Sequence, residues 1–181
     1  MLYERHTAAP APEVFEGVKY VTPNISGRMD NLRAAILRPQ LAALQTQVAR
    51  WNERYHVLEQ GLRETPGLTV IDRPERESFV GSSIQFLLLD WTPDAVAEVL
   101  QRCGARGVEL KWFGGAEPVG FTSRYDSWRY ADVPRMPASD RVLAGIVDMR
   151  IPLTFSLEDC ALIARIIRAE VGVVHQTSGA S

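Results

Sequence analysis

Residues 24–62, NISGRMDNLRAAILRPQLAALQTQVARWNERYHVLEQGL, are the stretch on which the reading of the fold turns. Leu41, Leu44, Val48, Trp51, Tyr55, Leu58 and Leu62 follow one another at steps of three and four, which lays them along one stripe of an α-helix. Gln45, Gln47, Arg50, Asn52, Glu53, Arg54, Glu59 and Arg63 fill the opposite side, so the helix is expected to rest on the surface of a larger body. The same pattern suits an ordinary core-facing helix. Pro39 lacks an N–H and its ring collides with the preceding turn. The expectation is a kinked pair: a short helix through Leu37 and a longer one from about Pro39 to Arg63.

Composition sets limits around this segment. A chain of 181 residues with 46% hydrophobic and 23% charged residues suits one globular domain with a real core. The net charge of −2 gives no electrostatic reason to expect nucleic acid. Cys103 and Cys160 are far apart and belong to no CxxC pair, and His6, His56 and His175 are scattered without metal-ligand spacing. Neither a disulfide framework nor a metal site is expected. No apolar run approaches the roughly 18 residues that span a bilayer, and no signal-like segment opens the chain. A cytoplasmic protein is expected.

Residues 1–23 contain AAPAPEV and no periodicity, and read as an extended arm. The segment 24–64 is the kinked helical stretch, 65–172 a small α/β domain, and 173–181 a flexible polar tail. Within the domain, Leu68–Ile71, SSIQFLLLD over Ser82–Asp90, and VELKWF over Val108–Phe113 read as strands. Thr92 with Pro93 starts a helix that runs to Gly104. Ser139–Met149 reads as a short helix, Arg150–Phe155 as a strand at an edge because of Pro152, and Ser156 with Asp159 as the cap of a final helix. The predicted fold class is α/β of an α+β-like kind: a small, mostly antiparallel sheet covered by helices and preceded by a long kinked amphipathic helix.

The loop from Gly114 to Met136 is long and rich in Gly, Arg and aromatics. Arg124 and Arg129 stand among Tyr125, Trp128 and Tyr130, a mixture suited to an anionic or sugar-like group held by forked hydrogen bonds and ring stacking. The same residues equally suit a loop packed by its own rings, with the arginines paired to Asp126 and Asp132.

The run RMDNLRAAILRPQLAALQTQVARWNERYHVLEQGL resembles the segment that joins the large and small domains in the DegT/StrS-type family of pyridoxal-phosphate (PLP) aminotransferases, most of which act on nucleotide-linked keto-sugars. Arg28-Met29, Ala34-Ala35, Gln40-Leu41, Arg54 and Tyr55 stand in the family's order and spacing. The resemblance extends over about Tyr20 to Val171 and implies the C-terminal small domain of a fold-type I PLP enzyme. Where the family has an Asn that reaches the cofactor phosphate of the neighbouring subunit, this sequence has Ser26, with Asn24 two residues earlier. The resemblance thus implies these two as phosphate ligands across a dimer. Ser26 also suits the N-cap of a helix beginning near Arg28.

In the family, the Schiff-base lysine, the aromatic residue stacked on the pyridine ring and the Asp beside the ring nitrogen precede this segment, in a large domain expected to be missing here. Of 20 basic residues only Lys19 and Lys111 are lysines, and neither stands in a matching motif. No catalytic residue is assigned. The expectation is a C-terminal aminotransferase portion for amino transfer to a keto-sugar or similar carbonyl, inactive alone or dependent on a partner. It would act in a homo- or hetero-oligomer with an aminotransferase large domain, with PLP not bound covalently by this chain. The alternatives are a non-catalytic assembly subunit of an aminotransferase, or a free-standing small-molecule-binding α/β domain.

Overall fold

The computed structural model describes residues 29–115 and 131–178. Helix α1, Asn31–Ala42, opens with Asp30, whose carboxylate accepts from the Arg33 backbone N–H at 2.8 Å. The helix is therefore capped at Asp30 rather than at Ser26, and it starts three residues later than the sequence suggested. It also passes through Pro39, and the break falls at Ala43, with φ −92° and ψ 0°. Helix α2, Leu44–Leu62, follows, so the kinked pair forms with its joint four residues beyond the proline. Pro39 withholds one N–H from the ladder, while the Ala43 N–H still reaches the Pro39 carbonyl at 3.2 Å.

The seam divides along its length. Tyr55, Leu58 and Leu62 are buried in the core, whereas Leu41 is 68% and Leu44 43% exposed. The buried end meets helix α5, Leu157–Ser178, at a crossing that Gly61 permits: a Cβ there would lie 2.6 Å from the Ala164 Cβ. Gly67, at φ +79°, turns the chain after α2 in a backbone conformation that suits glycine.

Strands β1 (Thr69–Val70), β2 (Ser83–Leu87), β3 (Lys111–Trp112) and β4 (Ile146–Arg150) form one sheet in the order β1-β2-β4-β3, every neighbouring pair antiparallel. Helix α3, Pro93–Ala105, joins β2 to β3 and is capped by Thr92, whose hydroxyl accepts from the Ala95 N–H at 3.2 Å. Because β4 lies between β2 and β3, the expected strand, helix, strand unit is a split one. Helices α2, α3 and α5 enclose Ile84, Phe86, Leu88, Val96, Val99, Val147, Ile167 and Val171 in a single core.

Two expectations are corrected between residues 137 and 155. Helix α4, Pro137–Gly145, ends before Met149, and the strand is β4, not Arg150–Phe155. Residues 146–150 alternate between the core and the other side of the sheet, and β4 pairs with β2 along its whole length. Beyond it, Pro152 has no N–H to give, and the chain turns with the Phe155 N–H on the Pro152 carbonyl at 3.1 Å. Side chains of α2 take the carbonyls a ladder would have used. Trp51 Nε1 donates to the Ile151 carbonyl at 3.1 Å and Arg54 Nε to that of Phe155 at 2.7 Å. The final helix begins as the capping pair predicts, with reciprocal bonds between Ser156 and Asp159 of 2.8 and 3.0 Å.

Candidate functional site

The residues that the sequence singled out for binding, Asn24, Ser26, Arg124, Tyr125, Trp128 and Arg129, lie outside the described residues, as does Lys19. The structure does place the two ends of the aromatic loop. On the near side, Trp112 Nε1 donates to the Ala144 carbonyl at 2.8 Å, and Gly114 packs so closely that a Cβ would meet the Ala144 backbone at 2.7 Å. On the far side, α4 is tied to the end of β2 by Arg141, whose Nε and Nη2 donate to the two carboxylate oxygens of Asp90 at 2.9 and 2.6 Å. Asp90 adopts φ +64°, a left-handed conformation that Asp tolerates better than most residues. The Arg141 guanidinium holds the Asp90 carboxyl below its usual range. Both contacts fall on α4, the helix that follows the loop.

The sheet carries a polar face. The register sets Lys111 on β3 opposite Asp148 on β4, Asp148 opposite Gln85 on β2, and Arg150 opposite Ser83. Gln85 Nε2 donates to Asp148 Oδ1 at 2.5 Å and to Ser83 Oγ at 3.0 Å. Asp148 is only 8% exposed. The Lys111 ammonium rests over the Phe113 ring, 5.1 Å from its centroid. Sequence reasoning missed Gln85, Asp148 and Arg150 as a set because it read residues 139–149 as helix. The available signal was the alternation of Val147 and Met149 with Asp148 and Arg150, the same two-residue period that brings Ser83 and Gln85 together on β2.

Elsewhere the titratable groups serve packing. Glu170 on α5 accepts from Arg102 Nε and Arg106 Nη1 on α3, each at 2.8 Å, and Arg106 first of all keeps its carboxyl below the ordinary range. Burial pushes the Cys103 thiol up to about 11, and burial also raises Cys160, so both are neutral thiols in the core rather than nucleophiles. Arg73 donates to Tyr55 Oη at 3.1 Å and lies 4.4 Å from the Phe79 ring centroid, closing the loop before β2 onto α2.

The described residues do not compose a PLP site. A lysine that condenses with the cofactor needs an enclosed place beside phosphate donors and an acid for the ring nitrogen. Lys111 instead lies on the two-residue edge strand against an aromatic ring. No step through the cofactor is therefore assigned to these residues.

Helix α1 presents the other unusual surface. None of its residues is buried, and Leu32 is 71%, Leu41 68% and Ile36 53% exposed. Such a run of apolar side chains marks a surface made to be covered.

A mixed fold of this kind, with an antiparallel sheet backed by three helices and entered by a kinked helix, matches part of the chain in solved aminotransferases. The sequence profile of the DegT/DnrJ/EryC1/StrS aminotransferase family matches residues 8–168, and the chain belongs to that family, whose members are PLP-dependent aminotransferases. Solved structures share the fold. The 3-amino-5-hydroxybenzoic acid (AHBA) synthase superposes with a TM-score of 0.65 at 22% identity, over 83% of this chain and 41% of that one. The aminotransferase TlmJ from Streptoalloteichus hindustanus superposes at 0.65 and 18% identity, over 91% and 46%. A DegT DnrJ EryC1 StrS aminotransferase from Brucella abortus gives 0.61 at 16% identity, over 91% and 44%. The chain thus spans less than half the length of these neighbours. The comparison with curated protein sequences returns no match. Among the described residues, no helix is long and apolar enough to cross a membrane.

Proposed function

We propose that these residues form the small-domain portion of a PLP-dependent aminotransferase that transfers an amino group to a keto-sugar or a similar carbonyl compound in the cytoplasm. The observation that carries this reading is the uncovered apolar side of α1, in the segment that resembles the family's inter-domain joint. A large domain docked there would bury Leu32, Ile36 and Leu41, each worth about 1.5–3 kcal/mol when fully covered. On this reading the large domain contributes the Schiff-base lysine, the ring-stacking aromatic residue and the Asp for the ring nitrogen. It comes from polypeptide other than these 181 residues, in the same molecule or in a companion, within a dimer.

Bound PLP would supply an electron sink for moving a proton and an amino group. This chain's contribution is to orient and to exclude water. Ser26 and Asn24 donate to the cofactor phosphate of the neighbouring subunit, and Arg124 and Arg129, with Tyr125 and Trp128, hold an anionic or sugar-like substrate group at the entrance. The arm 1–23 and the helical segment 24–64 precede the α/β unit, whose core takes in the end of α2 and whose last helix, α5, runs on to Ser178 where a flexible tail was expected from residue 173.

Incubation of the purified chain with PLP, followed by borohydride reduction and mass analysis, tests the division of labour. The expected result is no specific lysine adduct and no activity until a large domain is added. A single adduct at Lys19 or Lys111, with an absorbance band that amino donors bleach, overturns it. An assembly subunit uses the same α1 surface and is told apart by adding the chain to a complete aminotransferase, which it would bind without becoming necessary for turnover.

A further inference from the structure

Helix α4 is fastened to the domain by polar ties more than by packing. Residues 137–142 and Ala144 are exposed, Leu143 is half-buried, and only Gly145, where the helix passes into β4, is buried. Its nine residues are too few to keep a helix formed by themselves, and Met136 at the N-cap makes no side-chain bond. Two side chains tie it down. Arg141 grips both carboxylate oxygens of Asp90, at 2.9 and 2.6 Å, and the Trp112 indole N–H donates to the Ala144 carbonyl at 2.8 Å. The side chains of the ion pair are 65% and 64% exposed. The rigid part of the molecule begins at Gly145: its carbonyl accepts from the Leu88 N–H at 2.9 Å as the β2–β4 ladder starts, and a Cβ there would lie 2.7 Å from the Leu88 carbonyl oxygen.

We propose that α4 is a releasable strap: the Asp90–Arg141 pair shuts it onto the end of the sheet, and breaking that pair lets residues 136–144 detach and unwind while the sheet and helices α2, α3 and α5 stay folded. Detachment costs the core little, since Leu143 is the one side chain of α4 that lies partly against it. An exposed ion pair usually contributes little to a fold, but the forked geometry is the favourable one, and here it acts on an element with few other ties. The backbone adds a bias of its own. Asp90 stands at φ +64°, a conformation that persists where its surroundings enforce it, and release lets it return to an ordinary one. The fork and the strained turn therefore oppose each other, which sets the strap near balance. Release frees the Trp112 indole N–H and opens the Gly114 backbone, which Ala144 now covers. Because the pair is exposed, salt shifts the balance towards release. The strap needs neither PLP nor a large domain, so it stands or falls apart from the aminotransferase reading.

Amide hydrogen exchange of the full chain, read by mass spectrometry near neutral pH in low and in high sodium chloride, tests it. Asp90→Asn removes the charge but keeps a residue that tolerates the left-handed turn, so the change reports on the pair rather than on the backbone. At low salt the amides of residues 140–144 should exchange roughly five-fold faster in this variant than in the parent chain, with those of β2 and α5 unchanged. Arg141→Gln should match it, and the double variant should go no further, because one interaction is lost in all three. High salt should speed α4 in the parent chain and leave the variants as they were. Arg168→Gln, which removes an exposed positive charge from α5, should not alter α4. The proposal is overturned if α4 exchanges at the parent rate in both single variants, if β2 and α5 speed up as much as α4, if Arg168→Gln has the same effect, or if salt acts on the variants as strongly as on the parent chain.

Discussion

Helices α1 and α2 carry one continuous apolar pattern and meet two different fates. From Trp51 to Leu62 the stripe enters the core, with Tyr55 1% exposed and Leu58 and Leu62 fully covered. From Met29 to Leu44 the same chemistry faces outward, with Met29 62% and Leu32 71% exposed. Periodicity records that a face is to be buried, not by what. The C-terminal half of the stripe finds α5, β1 and β2 within this domain, while the N-terminal half requires a surface that these elements do not provide.

The sharpest way to break the contrast is at its buried end. Leu58→Ala should cost about 3 kcal/mol, because the side chain is wholly enclosed and the α2–α5 crossing cannot collapse around the gap. Urea denaturation monitored by tryptophan fluorescence measures it, and a loss as small as that of a surface change would mean that α2 is not part of the core. Gly61→Val follows at about 2 kcal/mol, since its Cβ would press on Ala164 and push the two helices apart.

A polar contact in the same packed region is worth less. Glu170→Gln should cost about 1 kcal/mol near neutral pH, a figure kept low because Arg102 and Arg106 are partly solvated. Its sign with pH is definite. Arg106 and Arg102 depress the folded-state carboxyl, so its stabilisation is present above the unfolded glutamate value of about 4.3 and is lost as pH falls through the lower folded value. The variant should therefore show a shallower fall in urea midpoint between neutral and acidic pH than the parent chain.

At the exposed end the expected effect on the fold is the smallest. Ile36→Asp should change stability by no more than about 0.5 kcal/mol, as for other surface substitutions. The same change should abolish docking to an aminotransferase large domain, measured by sedimentation of the mixture. Unfolding on a par with Leu58→Ala would erase the distinction between the two halves of the stripe.

Much of the fold was legible from local signals. Thr92 with Pro93, and Ser156 with Asp159, marked two helix starts because a cap is a short-range hydrogen bond between residues three apart. β2 stood out as an apolar β-rich run, and the Arg28-Met29 to Tyr55 pattern led to the family. Local signals failed where a long-range partner decides. Residues 146–150 follow a helix without a break, yet pairing with β2 on one side and β3 on the other makes them a central strand. The first helix starts where Asp30 can cap it, which the competing candidate Ser26 obscured. The six residues proposed from sequence for binding lie outside the described residues, and the polar row on the sheet was invisible because its members come from three separate strands.

By itself, the sequence determined the caps at Thr92 and at Ser156 with Asp159, the helical stripe, the surest strand and the family, since each is written in residues near one another along the chain. Only the tertiary structure decided which half of the stripe is buried, that β4 inserts between β2 and β3, and that Gln85, Lys111, Asp148 and Arg150 share one face. The physical reason is common to all three: burial and strand pairing are relations between distant segments, and a local pattern states the need for a partner without naming it.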